Sequence, residues 1–528
     1  MMLIQVIDIT SLLTLMTICV GNATGYKILG LFPYQGKSHF MMFTSLMKGL
    51  AEKGHSVHVV SHYPLDTPVV NYTDLSVAGS VPLHDGRISL KQFERSSFDL
   101  FTVLKTVKNL YRNIQMHEGV MKSDTIHRLM ESQERYDLII TESFTIDVTL
   151  GFVDKFQVPF IFLSTCSMPP WTSSLVANPQ NPAYVPNFLL RYSPRMTFTE
   201  RLWNTLGLTI NLAGWYWFHV SENERLMNKY FETDVPPLLD IAKNVSLVLL
   251  NTHSSIMESR PFAPNVIEVG GIHIEPPRQL PKDIEHFLES SPQGVIYFCL
   301  GSTIRTATLP EKKRNAFMFA FSQLRERVLW KFEEETIDTN ENIMIRKWMP
   351  QRDILAHPKV KLFISHCGLM GILEAASAGK PILGIPLAGD QWTNCRALEF
   401  KGLAKLVTYR TIDNESILKA LQEVLQPEYV ERAKQISKIF HDRPMTPMDT
   451  AIYWVEYVIR NKGAKHLRTS AVDLPFYQYL LLDVVAFIIF CVSATSYIIY
   501  YILKRVIDNR KALKVVKAKL SSKKLKKS

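Results

Sequence analysis

Short apolar runs and helical stretches alternate along most of the chain, separated by turns rich in glycine and proline. Residues 27–32 predict a strand, residues 41–53 a helix, and residues 55–60 a second strand. Residues 360–364 and 381–386 predict two more strands, on either side of a helix. Strands that alternate with helices are typical of parallel sheets with both faces covered. The pattern therefore predicts an α/β fold.

The other strand and helix patterns form two groups around a linker. Strands are predicted at residues 136–141, 245–251, 266–269, 294–300, 328–332 and 342–346. Helices are predicted at residues 394–400, 414–426, 429–440 and 450–461. Gly270-Gly271 and the prolines at 276, 277 and 281 predict the linker. Because 528 residues exceed a single core, we expect two domains.

Apolar segments lie at both ends of the chain. Residues 12–20 are too short to cross a bilayer, and the small residues after them predict a signal peptide over residues 1–25. An ordinary N-terminal helix is the alternative. Residues 484–503 carry no charge over twenty positions, which is enough for one membrane crossing. The basic residues that follow predict a cytoplasmic tail, with everything before the span on the other side.

The positive charge of the chain is concentrated in that tail. Residues 504–528 carry eleven Lys and Arg and one Asp, which is +10 of the formal +11. We therefore expect no nucleic-acid surface on the rest of the chain. The six cysteines show neither metal-ligand spacing nor a disulfide framework, so we expect no metal ion; a single bridge stays open.

The stretch over residues 363–391 carries the densest chemistry. Gly368 and Gly371 allow close backbone approach where a strand turns into a helix. The unpaired N–H groups and the dipole of that helix start favour a phosphate. His366 beside them can donate a hydrogen bond or carry charge. The turn therefore predicts a phosphate site.

Three polar residues follow that turn. Glu374 can accept hydrogen bonds from a pair of ribose hydroxyls. Asp390 and Gln391 place an acid and an amide on one loop, which suits a polyol better than a flat base. On spacing alone, a structural βαβ unit with polar caps is the alternative.

This stretch resembles the signature of the UDP-glycosyltransferases, the membrane-bound family that includes the animal UDP-glucuronosyltransferases. The match is gapless and includes His366, Gly368, Gly371, Glu374, Pro381, Pro386, Asp390 and Gln391. The resemblance implies the GT-B architecture, two facing Rossmann-like domains. It implies that His366 and the turn at Gly368 hold the diphosphate and that Glu374 binds the ribose. Asp390 and Gln391 would bind hydroxyls of the transferred sugar.

A second motif matches the same family at Trp348, Pro350, Gln351, His357 and Pro358. The indole of Trp348 offers a face for uracil, and Gln351 can read polar edges of base or ribose. The resemblance also implies that Ser302 contacts the phosphates, and Arg260 aligns with a basic residue near the donor.

The resemblance implies a catalytic pair in the first domain. His39 stands at the first strand-to-helix turn, where the family carries the general base that removes the acceptor's hydroxyl proton. Glu142 occupies the place of the family's Asp, which orients that histidine. Asp147 is the second choice for this role, and Glu142 as a helix cap is the structural alternative.

Two departures from the family pattern concern the donor. Met370 stands where vertebrate members usually carry Asn, so donor affinity or donor choice is expected to differ. Met370 and Glu142 together resemble invertebrate members, in which glucose is the commoner donor. We therefore favour glucose over glucuronic acid and leave both open.

The resulting organisation has six parts. They are a signal peptide (1–25), an acceptor-binding domain (26–275), a donor-binding domain (276–450), a return helix and connector (451–482), a membrane helix (483–503) and a basic tail (504–528). Sequons at Asn71, Asn244 and Asn414 predict glycosylation on the lumenal side. Lys526 and Lys524, third and fifth from the end of the sequence, resemble a retrieval signal for the endoplasmic reticulum; binding to anionic lipid is the alternative.

We therefore expect a single-pass type I protein of the endoplasmic reticulum that transfers a hexose from a UDP-sugar to a small lipophilic acceptor, with inversion. It needs no cofactor beyond that co-substrate, and a second copy of the chain is a candidate partner. A membrane-tethered carrier or chaperone that keeps the nucleotide site is the rival. A nicotinamide-dependent oxidoreductase is disfavoured because no GxGxxG follows the first strand. The aromatic stretch 202–219 fits a membrane face, an acceptor pocket or ordinary core.

Overall fold

The computed structural model describes residues 25–94, 114, 117–231, 235–334 and 341–525. All of the predicted signal peptide except Gly25 lies outside these residues, as does the end of the predicted retrieval signal. The chain up to Thr469 forms one compact unit that contains two parallel sheets, and residues from Ser470 onward form a second unit.

The first sheet has seven parallel strands. They are β1 (Lys27–Phe32), β2 (Ser56–Ser61), β3 (Tyr72–Ser76), β5 (Leu138–Glu142), β6 (Phe160–Ser164), β7 (Leu247–Leu250) and β8 (Val266–Glu268); β4 (Ile88–Ser89) lies apart from them. The order is β3-β2-β1-β5-β6-β7-β8, and Ile28 of β1 pairs with Val57 on one side and Leu138 on the other. The chain direction across the sheet reverses between β1 and β5, which is where open α/β sheets bind ligands.

Helices pack on both faces of this sheet. The helices of this part of the chain include α1 (Lys37–Glu52), α2 (Asp124–Glu131), α3 (Gly151–Phe156), α4 (Pro170–Leu175), α5 (Phe198–Gly214), α6 (Ser221–Tyr230) and α7 (Leu238–Ala242). Helix α1 contributes to one core cluster, and α2 and α6 contribute to another. A π-helical segment, Trp215–Val220, connects α5 to α6. The predicted aromatic stretch lies on α5 and this segment, and Trp203, Trp217 and Phe218 are exposed there.

The second sheet has six parallel strands in the order β12-β11-β9-β13-β14-β15. The strands of this half are β9 (Val295–Cys299), β10 (Ile304–Arg305), β11 (Arg327–Lys331), β12 (Ile343–Arg346), β13 (Val360–Ser365), β14 (Ile382–Gly384) and β15 (Ala404–Leu406). Its helices are α8 (Lys282–Glu289), α9 (Glu311–Ser322), α10 (Gln351–Ala356), α11 (Leu369–Ser377), α12 (Gln391–Phe400), α13 (Asn414–Val424) and α14 (Pro427–His441). Both sheets are therefore Rossmann-like.

We call the part of the compact unit built on the first sheet the first half, and the part built on the second sheet the second half. A short strand pairing joins the two halves. Ile88 of β4 pairs in parallel with Ile304 of β10. The Gly86 N–H donates to the Ser302 carbonyl at 2.9 Å, and Leu90 is buried among core residues of the second half. This pairing was not predicted, and it ties the first half directly to a strand-end loop of the second.

The chain then returns to the first half. Helix α15 (Pro447–Arg460) buries Ala451, Ile452 and Val455 in the same hydrophobic cluster as Leu50 of α1. It has Pro at its start and a side-chain cap from Thr446, which accepts the Asp449 N–H at 3.0 Å.

The second unit contains α16 (Phe476–Tyr479) and a long helix, α17 (Leu482–Leu525). Its apolar portion is long and apolar enough to cross a membrane, with a mean hydropathy of 2.2. The helix continues through the described part of the basic tail, because Lys, Arg, Ala and Leu all favour helix.

Candidate functional site

A cleft of about 510 Å³ lies between the carboxyl ends of the two sheets. Residues of both halves line it, since parallel strands deliver their following loops to one edge. The predicted residues that line it are His39, Ser302, Trp348, Gln351, His366, Gly368, Gly371, Glu374, Asp390 and Gln391. Residues separated by several hundred positions are thus brought to one site.

His39 and Glu142 form a close pair at the first sheet. His39 lies in the first turn of α1, directly after β1, and Glu142 is the last residue of β5 beside it. Their Nδ1 and Oε1 atoms are 2.5 Å apart. An ionised carboxylate only accepts hydrogen bonds, so Nδ1 carries the proton and Nε2 keeps its lone pair. The pair is arranged for a neutral histidine that accepts a proton at Nε2.

The geometry distinguishes Glu142 from Asp147 as the carboxylate that bonds His39. Asp147 lies on the next turn, and its Oδ2 is 2.7 Å from Nε2 of His219, with both side chains buried. Asp147 therefore has a histidine of its own. Glu142 bonds His39 rather than capping the following turn, whose N-cap is Ile146.

Two aromatic rings lie beside His39. The rings of Tyr34 and Phe144 have their centroids 4.6 and 5.0 Å from the imidazole. Phe144, Phe188 and Met41 line the cleft. An apolar wall beside a proton acceptor suits a lipophilic acceptor molecule. None of the cleft-lining residues comes from the aromatic stretch 202–219.

The phosphate turn is shaped by two glycines around one histidine. A Cβ at Gly301, whose φ is +85°, would lie 2.7 Å from Cε1 of His366. A Cβ at Gly368 would lie 2.5 Å from its Nε2. Gly368 is also the N-cap of α11, so the free N–H groups of that helix face the same place. Only glycine fits at either position without moving the ring.

Burial, together with the positive charge of Lys331, lowers the pKa of His366 to about 4. His366 is therefore neutral at pH 7, and of its two predicted modes the hydrogen-bond donor is favoured over the cation. The cation is Lys331 itself, which the sequence did not single out. It is the last residue of β11, is buried, and donates to the Gly301 carbonyl at 3.1 Å and to Glu333 at 3.0 Å.

Glu374 is held from one side by Gln351. The Gln351 Nε2 donates to Oε2 of Glu374 at 2.7 Å, and His273 lies 3.6 Å from Oε1. Burial raises the pKa of Glu374 to about 7. Gly371 makes this arrangement feasible, because a Cβ there would approach Gln351 Nε2 to 3.0 Å. The motif that contains Gln351 and the stretch over residues 363–391 are thus in contact at the Glu374 carboxyl.

The sugar-binding candidates lie at the start of α12. Oδ2 of Asp390 accepts from Asn394 at 2.9 Å, and burial raises the pKa of Asp390. Oε1 of Gln391 accepts from the N–H groups of Leu387 and Ala388, each at 2.9 Å. Gln391 therefore offers a donor nitrogen to the cleft, and Asp390 an acceptor oxygen.

Two other donor candidates differ in their setting. Trp348 is 58% exposed, and Nζ of Lys37 lies 4.5 Å from its ring centre, so one face is covered by the first half. Arg260 is not among the residues that line the cleft. Its guanidinium lies 3.5 Å from the Met168 carbonyl and beside Phe262, and burial lowers its pKa to about 10.

Met370 turns toward the first half. Its Sδ lies 3.1 Å from Nδ2 of Asn251, and its side chain packs against the cluster that contains β1 and α1. The three predicted glycosylation sites, Asn71, Asn244 and Asn414, are all exposed.

The sequence and the fold are similar to those of known proteins. A family profile described as "UDP-glucoronosyl and UDP-glucosyl transferase" matches residues 27–519. UDP-glycosyltransferase UGT5 of Dactylopius coccus is 45% identical over 92% of this chain and 93% of its own length. UDP-glucosyltransferase 2 of the same insect is 39% identical over 94% and 96%.

Among solved structures, a UDP-glucose:anthocyanidin 3-O-glucosyltransferase in complex with UDP matches with a TM-score of 0.53. That match covers 83% of this chain and 100% of the other, at 16% identity, and it supports the fold alone. The fold is the predicted GT-B architecture, two Rossmann-like domains, with one C-terminal apolar helix. The chain belongs to the UDP-glycosyltransferase family and is a UDP-glycosyltransferase.

Proposed function

We propose that this enzyme transfers glucose from UDP-glucose to a hydroxyl of a small lipophilic acceptor, with inversion at the anomeric carbon. The observation that carries the proposal is the His39–Glu142 pair, 2.5 Å apart, in the same cleft as the glycine-shaped turn at His366. One half supplies a proton acceptor and the other a site for a phosphate leaving group.

His39 acts as the general base. Its Nε2 takes the proton of the acceptor hydroxyl while that oxygen attacks the anomeric carbon, and the bond from this carbon to the UDP oxygen breaks. The Nδ1–H of the resulting imidazolium remains bonded to Glu142, whose charge stabilises it. The proton of the acceptor hydroxyl stays on Nε2 of His39, and the electron pair of the broken bond leaves with UDP.

The second half stabilises the charge that develops on UDP. The free N–H groups at the start of α11 point to the diphosphate, and Ser302 and neutral His366 donate hydrogen bonds. Lys331 adds a buried positive charge beside them. Glu374 binds the ribose, Trp348 the uracil, and Asp390 and Gln391 the hydroxyls of the hexose.

Glucose is favoured over glucuronic acid because Glu142 and Met370 together resemble invertebrate members of the family, in which glucose is the commoner donor. The name of the relative at 39% identity, a UDP-glucosyltransferase, supports the same donor. We further propose that the apolar part of α17 anchors the enzyme in the endoplasmic reticulum membrane, with the catalytic domains in the lumen. There the enzyme would attach sugar to lipophilic compounds and so detoxify them.

The proposal is tested in microsomes that contain the full chain, with a simple phenol as acceptor and either UDP-glucose or UDP-glucuronic acid as donor. We expect conjugate with UDP-glucose and little with UDP-glucuronic acid, and none from microsomes with His39→Ala. Conjugate with UDP-glucuronic acid alone would overturn the choice of donor. A chain that binds UDP but gives no conjugate with either donor across a set of phenols would instead support the carrier.

A further inference from the structure

One connected group of polar residues lies at the carboxyl ends of four neighbouring strands of the first sheet. The strands lie in the order β1-β5-β6-β7. His39 follows β1, Glu142 ends β5, Thr165 follows β6 and Asn251 follows β7. Because the strands are parallel, their carboxyl ends bring these residues side by side.

Thr165 contacts both members of the catalytic pair. Its hydroxyl donates to Oε1 of Glu142 at 2.8 Å and lies 2.9 Å from Nδ1 of His39. With the 2.5 Å contact between His39 and Glu142, the three atoms form a closed triangle. The Thr165 hydroxyl donates its proton to the Glu142 carboxylate. The lone pairs of its oxygen are then free to accept a hydrogen bond from the Nδ1–H of His39, which Glu142 also accepts.

Glu142 has a torsional freedom that this contact removes. Rotation of a glutamate carboxylate about its last bond is soft and roughly two-fold, so either oxygen can face a partner. Here Oε1 receives both hydrogen bonds, while Oε2 is buried and has no hydrogen-bond partner among the described residues. A second donor on Oε1 therefore fixes both the oxygen that faces His39 and the plane of the carboxylate.

We propose that Thr165 is a positioning residue that holds Glu142 and His39 in the geometry for proton transfer. The assignment rests on the proposed role of His39 as the base. It also gives a physical reason why a glutamate, one methylene longer than the family's aspartate, works at this position: the hydroxyl of Thr165 takes up the extra freedom.

The same group reaches the donor-binding half. Nδ2 of Asn251 lies 3.5 Å from the Thr165 carbonyl and 3.1 Å from Sδ of Met370, in the first turn of α11. The segment that carries Thr165 is thus in contact, through one amide, with the helix that faces the phosphates.

The test uses Thr165→Val, which keeps the shape and removes the hydroxyl, with Thr165→Ser as the conservative rescue. Loss of a hydrogen bond to a charged group predicts a kcat lower by about tenfold or more for Thr165→Val. The KM for UDP-glucose and the affinity for UDP should stay as in the wild type, and Thr165→Ser should recover most of the rate. Thr149→Val is the matched control, since Thr149 is equally buried and bonds the Ile146 carbonyl, away from the cleft.

The Glu142→Gln background, in which turnover is reduced but measurable, separates positioning from other roles. There, Thr165→Val should produce a much smaller further loss of kcat than it does in the wild type, because no carboxylate remains to be held. A rise in KM for UDP-glucose with unchanged kcat would overturn the proposal and assign Thr165 to sugar binding. Wild-type kcat in a folded Thr165→Val, or in Thr165→Ala if the valine variant does not accumulate, would also overturn it. Wild-type turnover in His39→Ala itself would instead refute the proposed base.

Discussion

The two halves of the cleft are built in different ways. At the first sheet, three side chains bond one another: the contacting atoms of His39, Glu142 and Thr165 are 2.5 to 2.9 Å apart, and Oε2 of Glu142 is the buried atom of this group left without a partner in the described structure. At the second sheet, glycines and a helix start leave groups unpaired, and Nδ1 of His366 is buried without a hydrogen-bond partner in the described structure. One half holds a finished geometry, and the other is shaped around a ligand.

The difference matches the two tasks that we propose for the two halves. A base has to be oriented toward the acceptor, and at the first sheet His39, Glu142 and Thr165 are already bonded to one another. A phosphate site must bind charge, so it carries a helix terminus and a buried cation, Lys331. Substitutions at the first half should therefore change kcat, and substitutions at the second should change donor binding.

The largest effect is expected from Glu142→Gln. The amide keeps the shape but can no longer stabilise the imidazolium, and its NH₂ group favours the histidine tautomer with the proton on Nε2. We expect kcat to fall by about 10²- to 10⁴-fold while the affinity for UDP stays unchanged. Steady-state kinetics and titration calorimetry with UDP measure the two quantities. Weakened UDP binding in Glu142→Gln would contradict the assignment of catalysis to the first half and donor binding to the second.

A smaller and pH-dependent effect is expected from Glu374→Gln. Because burial raises the pKa of Glu374 to about 7, its carboxyl is protonated at lower pH and becomes a full acceptor for ribose hydroxyls as the pH rises. The KM for the UDP-sugar should therefore fall as the pH increases through about 7. Glu374→Gln should abolish this dependence and raise KM above pH 7 by about tenfold. A wild-type KM that is constant across this range would contradict the assignment.

The smallest effect is expected from Met370→Asn, which introduces the residue usual in vertebrate relatives. Met370 contacts Asn251 and the core of the first half, so the change should lower the free energy of unfolding by about 1 kcal/mol. Against the expectation from the sequence, UDP affinity should change less than about threefold, or about 0.7 kcal/mol, because the Met370 side chain contacts Asn251 of the first half. Thermal unfolding and UDP titration check both, with Met370→Leu as the control that keeps the apolar contact. A tenfold gain in affinity would show that position 370 acts on the phosphates.

How far the sequence predicts the site also differs between the halves. His366, Gly371 and Glu374 lie on one strand-turn-helix unit of the second half, so their spacing alone brings them together. Lys331 was not predicted as a site residue, because a single lysine at the end of a strand is usually exposed to solvent. Its burial depends on the tertiary structure, which the local sequence does not show.

In the first half the network depends on strand order, which the sequence does not reveal. Thr165 and Asn251 are separated by 86 positions and meet because β6 and β7 are neighbours. Strand β6 itself was not predicted, and neither were the edge strands β3 and β15. The pairing of β4 with β10 was beyond prediction because each strand has only two residues.

The measurement that tests the account most directly is a crossed comparison of His39→Ala and His366→Ala in one preparation, by UDP titration and by transfer of glucose to a phenol. We predict that His39→Ala binds UDP like the wild type but loses turnover, whereas His366→Ala loses UDP affinity. His58, which bonds the Tyr136 hydroxyl at 2.9 Å outside the cleft, provides the control His58→Ala, with both properties retained. If His39→Ala kept its turnover, or weakened UDP binding as much as His366→Ala does, the division of labour between the two halves would be wrong.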